Sequence, residues 1–347
     1  MNLFLRTFLV FVCLLLFLTN SPAQRADADP ATYEELYDAP DQINKLFLQF
    51  QPISGEFWKS NPNIGFGIEA TYFIKKVARI RAAFRRPYAD QFDMYRYNGR
   101  VNSSLDNEVT PYKYFELGGT YHIKDFTSNT ETKLPLYKKS YRGARWAARV
   151  PDRIPVACTL RQIIGVRTGG FFFEHASDLK MITQRQGISY ADIIAVDGSG
   201  SLPETFTNTD TGLEDKVLAF GNISVPGIYV GGAMSWIKNV AVDPDNHEKV
   251  ADDKILTAYA DILVSPWVKA ENVYLNGLEY SVENIKTNMI GGRIGIDGKY
   301  NRTLSWGYGG EVGFKPGFGK GGFFALIKIS LPVYSTNLEY DVEAFAK

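Results

Sequence analysis

Residues 286–334 read KTNMIGGRIGIDGKYNRTLSWGYGGEVGFKPGFGKGGFFALIKISLPVY, and apolar residues alternate there with small or polar ones in three consecutive runs. In the first, Ile290, Ile294, Ile296 and Tyr300 share one parity, opposite Met289, Gly291, Arg293, Gly295, Asp297 and Lys299. The second sets Leu304, Trp306, Tyr308, Val312 and Phe314 against Ser305, Gly307, Gly309, Glu311, Gly313 and Lys315. The third sets Phe323, Ala325, Ile327, Ile329, Leu331 and Val333 against Gly322, Phe324, Leu326, Lys328 and Ser330. Side chains that alternate with period two belong to a strand, because successive residues point to opposite faces. Each run is about 12 to 14 residues long, enough to cross a bilayer at a tilt of about 45°. With the tight connections YNR and GFGK between them, the three runs predict a transmembrane β-meander, apolar towards lipid and polar towards a lumen.

The same pattern recurs upstream. Residues 46–51 alternate Leu46, Leu48 and Phe50 with Phe47, Gln49 and Gln51, and residues 63–74 place Ile64, Phe66, Ile68, Ala70, Tyr72 and Ile74 on one face. After the Lys75-Lys76 turn, Ala78, Ile80, Ala82 and Phe84 face outward and Arg79, Arg81 and Arg85 inward. Further strands are read at 112–124, 159–173, 223–238 and 255–269, which brings the total to ten, within a range of eight to twelve. The fold class is therefore all-β, a transmembrane antiparallel barrel over residues 45–334 with long extracellular loops.

Outside the barrel, Arg6, the apolar run Phe8–Leu18 and Ser21-Pro22-Ala23 read as a signal peptide over residues 1–23. Residues 24–44 are acidic and polar and read as a periplasmic tail with a short helix over 32–37; residues 335–347 read as a C-terminal tail. The stretch 242–253 reads as a polar turn, and 53–62 as a loop. The basic segment 125–157 is open between an added pair of strands and a periplasmic excursion. An even strand number puts both termini on the periplasmic side of an outer membrane. Loops 87–111 and 174–220 then lie outside the cell, Tyr300, Trp306 and Tyr334 form a periplasmic aromatic girdle, and Phe314 and Phe323 form the opposite one.

Composition narrows the function. Formal net charge is zero, which leaves no bulk field to attract nucleic acid. Cys158 is the only cysteine after the leader, and His122, His175 and His247 are scattered, so neither a disulfide nor a metal site is expected, and no cofactor is implied. Glycine, tyrosine and phenylalanine are abundant, at 31, 20 and 23 residues. The alternation, the glycine-rich strands and the final ISLPVY run together resemble the outer-membrane β-barrel proteins of Bacteroidota.

Lining up the inward faces at mid-strand depth gives Glu69, Arg79 with Arg81, Glu116, Arg167, no charge on the next strand, then Asp261, Arg293, Glu311 and Lys328. The sign alternates from strand to strand, so the expectation is a belt of cross-strand salt bridges closing the lumen. Function would then fall to protein partners at loops 174–220 and 87–111 or at the basic segment 125–157, with outer-membrane lipid around the wall. A structural or partner-binding barrel, for example in a secretion or surface-assembly system, is the first reading and a narrow solute channel the second. An omptin-like or lipid-modifying enzyme is third, because Asp192, Asp197, Asp210 and His175 are eligible in type but share no spacing; the protein is read as a non-enzyme.

Overall fold

The computed structural model describes residues 32–58, 60–137, 153–207, 212–303, 305–318 and 322–335. The strands used below are β1 (Tyr33–Asp38), β2 (Leu46–Trp58), β3 (Asn63–Ile74), β4 (Ala78–Pro87), β5 (Lys113–Pro135), β6 (Arg153–Asp178) and β7 (Phe220–Ile237). They continue with β8 (Val240–Pro244), β9 (Val250–Asp252), β10 (Lys254–Val264), β11 (Ile290–Tyr300), β12 (Gly307–Phe314) and β13 (Phe323–Ser335). Two helices, α1 (Met94–Asn102) and α2 (Leu179–Gln186), lie in connections. The order β2-β3-β4-β5-β6-β7-β10-β11-β12-β13 closes on β2, each pair antiparallel, giving a ten-strand transmembrane barrel. Closure leaves no edge, so backbone groups at membrane depth are satisfied within the wall.

The outer surface follows the sequence pattern. Ile64, Ile68, Ile80, Leu117, Val166, Val230, Ile262, Ile294, Val312 and Ile327 are all exposed, a belt of apolar side chains around the wall. Short turns join strands at one end, as at Lys75 and around Asn301. The other end carries 88–112, 179–219 and 265–289. These three connections pack into a cap. Ser104 N–H donates to Leu218 O at 3.0 Å, Asp106 N–H to Tyr274 O at 2.8 Å and Ser281 N–H to Ile194 O at 2.9 Å. Leu179, Ile193, Leu202, Val217, Val273 and Val282 form its buried interior.

The short-turn end departs from the sequence reading. Residues 33–38 are not helical: β1 pairs with β8, and β8 with β9, in a three-stranded sheet. The stretch 242–253 is thus not a plain turn: it holds the end of one strand, Val240–Pro244, and all of another, Val250–Asp252. Segment 125–157, open in the sequence between an added strand pair and a periplasmic excursion, is described at its two ends. Residues 125–135 and 153–157 prolong β5 and β6 past the barrel wall in unbroken register, Asp125 against Ile163 through Pro135 against Arg153. The sheet lies on this hairpin, with Leu134, Ile154, Val156, Cys158, Val240 and Val242 buried between them. Thr159 N–H donates to Asp38 Oδ2 at 2.7 Å and Thr132 Oγ1 to Asp252 Oδ2 at 2.7 Å. Residues 32–44 are therefore built into the fold rather than trailing from it. Residues 1–31, with the expected leader 1–23, segment 138–152 and the expected tail from 336 lie outside the described residues.

Candidate functional site

The lumen is filled in three layers. At the short-turn end, Phe47, Phe73, Ile163, Ile237 and Ile255 meet as an apolar floor, with Ile43 packed against it. Each comes from the inward parity, Phe47, Phe73, Ile237 and Ile255 at or next to a strand end and Ile163 within the longer β6. Beneath the floor, Asn44 N–H donates to Asn301 Oδ1 at 2.9 Å and Asn44 Nδ2 to Ser335 Oγ at 2.6 Å, which tie residues 39–45 across the opening.

Above the floor lies the ionic layer. Arg81 reaches Glu69 at 3.0 Å and Glu116 at 2.8 Å, and Arg167 reaches Asp261 at 2.9 Å and Glu116 at 3.8 Å. Arg293 reaches Glu116 at 2.7 Å, Asp261 at 2.9 Å and Glu311 at 3.4 Å; Lys328 reaches Glu69 at 2.7 Å. Eight of the nine charges expected from sequence are thus joined in ion pairs. Their geometry is a mesh rather than a belt: Arg293 on β11 meets Glu116 on β5, on the far wall, because a ten-strand barrel is narrow enough for side chains to span. Arg79 is the exception. Among the described residues it has no carboxylate partner, and it donates to Thr257 Oγ1 at 2.9 Å and, at 3.5 Å each, to Ser235 Oγ and Thr120 Oγ1.

Sequence reasoning left several members out. Lys299 and Asp297 join the mesh, Lys299 at 3.6 Å from Glu69 and Asp297 at 2.7 Å from Lys328. Both were on the inward parity, but near a strand end. Glu56 was hidden by a bulge: β2 loses step with β3 between Gln51 and Ser54, so inward residues are odd-numbered before Pro52 and even-numbered after it. The third layer holds Glu56 paired with Lys315. The Lys315 ammonium sits among Trp58, Tyr112, Tyr114, Phe173 and Phe324, 4.7 to 5.4 Å from their ring centroids. Pairing with Glu56 and contact with ring faces offset part of the cost of enclosing that ammonium.

Small residues make the filling possible. A Cβ on Gly118 would lie 2.1 Å from Tyr229 Oη, and one on Gly169 2.7 Å from it, so the pair forms a notch for that ring. An interior cavity bounded by Arg79, Arg81, Arg167, Tyr259 and Lys299 measures about 10 Å³, at the lower limit for a single water.

The aromatic positions lie at the two ends. Trp306 and Tyr334 are exposed and Tyr300 half-buried at the short-turn end, while Phe314 and Phe323 are exposed at the loop end, ring centroids 5.6 Å apart. The described residues weighed for catalysis each have a local partner. His175 is buried against Trp58, with Nδ1 on Ala176 O at 2.9 Å, Asp192 accepts from Ser189 N–H at 2.7 Å, and Asp197 accepts from Ser199 N–H at 2.9 Å. Asp210 lies outside the described residues. In the cap, a recess of about 800 Å³ opens among Lys269, Glu271, Tyr274, Glu279, Glu283 and Phe318.

A closed barrel with an apolar outer belt fits an outer-membrane location. No protein-family model and no curated protein matches the chain. Among solved structures, it is similar to the CymD monoaromatic hydrocarbon channel at 8% identity, over 86% of this chain and 93% of that one, with a TM-score of 0.23. It is also similar to a deltaS2 mutant of the TodX monoaromatic hydrocarbon channel at 10% identity, over 93% and 94%, with a TM-score of 0.19.

Proposed function

We propose that this protein is a non-conducting outer-membrane barrel that serves as a structural or partner-binding component, with its two ends, not its lumen, as working surfaces. The observation behind the reading is the filling of the lumen among the described residues: an apolar floor, an ionic mesh and an aromatic layer, with a cavity beside the mesh that has room for about one water. A solute path would require buried ion pairs to part, at a cost of several kcal/mol for each ion stripped of its partner. Purified protein in planar bilayers is expected to show no steady current above the bare membrane. A stable open-channel current from the wild type would overturn this reading in favour of a narrow channel for small solutes.

The loop cap is taken as extracellular and the β1-β8-β9 sheet with its hairpin as periplasmic, following the usual asymmetry of long outer loops and short inner turns. Single cysteines in a Cys158→Ser background test this. On intact cells an impermeant maleimide is expected to label Asp197→Cys in the cap and to spare Glu34→Cys until the outer membrane is opened. The reverse pattern would invert the topology.

A further inference from the structure

We propose that α1 and the strand ends beside it bind the phosphate groups of an outer-leaflet lipid, taking the loop end as the outer one. Helix α1 starts at Asp93, whose side chain accepts from Arg96 N–H. Its residues divide into three faces. Tyr95 and Gly99 turn towards the barrel: Tyr95 packs on Val109, Ala176 and Phe220, and a Cβ on Gly99 would lie 2.8 Å from Val109 and 3.2 Å from Phe220. Met94, Tyr97 and Val101, at i, i+3 and i+7, form a second face and are 52, 48 and 63% exposed. Arg96 and Arg100, one turn apart, form the third. An apolar stripe left bare beside a basic one is the make-up of a helix lying in a membrane interface.

The recess beside this helix measures about 430 Å³ and is lined by Phe66, Arg86, Tyr88, Asp90, Arg96 and Arg100 among others. Arg96 lies 3.0 Å from Asp90, and Arg100 pairs with the second oxygen of the same carboxylate, so two guanidiniums share one negative charge. Asp93, the other acid there, is buried and already accepts from the backbone N–H groups of Arg96 and Tyr112. Arg86 adds a further cation. It is exposed, without an ion-pair partner among the described residues, and sits on the lipid-facing parity of β4 directly opposite Phe66 of β3. Next to it, outward Lys113 is paired with Glu174 at 3.5 Å, which leaves that carboxylate taken and Arg86 open to a further anion.

Two features select a lipid as the occupant. Phe66, Tyr88 and Phe92 run outward in a chain of ring contacts at 5.7 and 6.2 Å, continuous through Phe66 and Ile64 with the apolar belt. Aromatics at this level mark the headgroup boundary, and arginine forks match phosphate oxygens in pairs. A ligand with phosphate above and acyl chains below satisfies the arginines, the rings and the bare face of α1 together; a soluble anion satisfies only the first.

The test uses the purified full-length barrel in detergent, probed with bisphosphorylated lipid A, the same lipid without phosphates, and inorganic phosphate. The phosphorylated lipid is expected to bind at least ten-fold more tightly than the dephosphorylated one, without competition from millimolar inorganic phosphate. Arg86→Gln with Arg100→Gln should lose that ten-fold difference while keeping heat-modifiable mobility, and Val101→Asn should weaken both lipids alike. Equal binding of the two lipids, or a double variant that binds like the wild type, would overturn the proposal. Full competition by inorganic phosphate would assign the recess to a free anion and overturn the lipid assignment. Because binding in detergent does not depend on which end faces the medium, these results are separable from the labelling test of orientation.

Discussion

Arg293→Ala is expected to destabilise the barrel by about 3–5 kcal/mol, the usual cost of breaking a buried ion pair from one side. The side chain is 2% exposed and holds three carboxylates at once, those of Glu116, Asp261 and Glu311. It also donates to Tyr114 Oη at 3.0 Å and lies over the Tyr229 ring at 4.8 Å. Alanine leaves those acids facing one another across the narrow lumen with their remaining partners, Arg81 and Arg167, already shared. Arg79→Met is the comparison. Arg79 donates only to hydroxyls, which can turn to one another, so its loss should cost less than half as much. Urea titration of the folded barrels, read by heat-modifiable gel mobility, measures both. A loss below 1 kcal/mol for Arg293→Ala, or equal losses for the two, would refute the assignment of the mesh as the strut of the lumen. Current through the Arg293→Ala barrel should stay at background, since the apolar floor at Phe47, Phe73 and Ile255 is untouched.

How far the sequence could be read depended on period. The ten barrel strands were legible because lipid on one side and a filled lumen on the other impose strict alternation, and parity alone placed Arg81, Glu116, Asp261, Arg293 and Lys328 inside. Where alternation breaks, legibility ended. The bulge at Pro52 reverses parity within β2, so Glu56 fell into an apparent loop. The sheet β1-β8-β9 uses strands of 6, 5 and 3 residues, too short to show a period, and buries Val240 and Val242 against a hairpin distant in sequence. The pairing of charges was only half legible. Sign alternation between neighbours suggests contacts along the wall, but Arg293 reaches Glu116 across it, a distance set by barrel radius and side-chain length rather than by register. Arg79 shows the same limit from the other side: its strand neighbours promised an acid, and Thr120, Ser235 and Thr257 took that place.

The bare position on β7 carries the second large effect. No charge was read on this strand, and the structure shows why it is needed empty: Gly231 pairs with Arg167 on β6 and with Asp261 on β10, so the bridge between those two passes directly over it. Arg167 makes two bonds to Asp261, at 2.9 and 3.2 Å. A Cβ at Gly231 would lie 2.1 Å from Ala260 O and 2.4 Å from Asp261 Oδ1, and rigid backbone cannot give way by that much. Gly231→Val should therefore displace the Asp261 carboxylate from both Arg167 and Arg293, costing about 3–5 kcal/mol for the broken pairs, with overpacking strain of about 1–3 kcal/mol added. Gly232→Val is the internal control. Gly232 faces outward, and the nearest atom to a Cβ there, Gly165 O, is 3.9 Å away. Valine at that site adds apolar surface to the lipid belt and a better strand former, so its urea midpoint should match or exceed the wild type. Adjacent glycines on one strand are thus expected to respond in opposite directions to the same substitution. If both valines destabilise alike, the effect belongs to strand flexibility, and the reading of Gly231 as the saddle beneath an arginine–aspartate bridge fails.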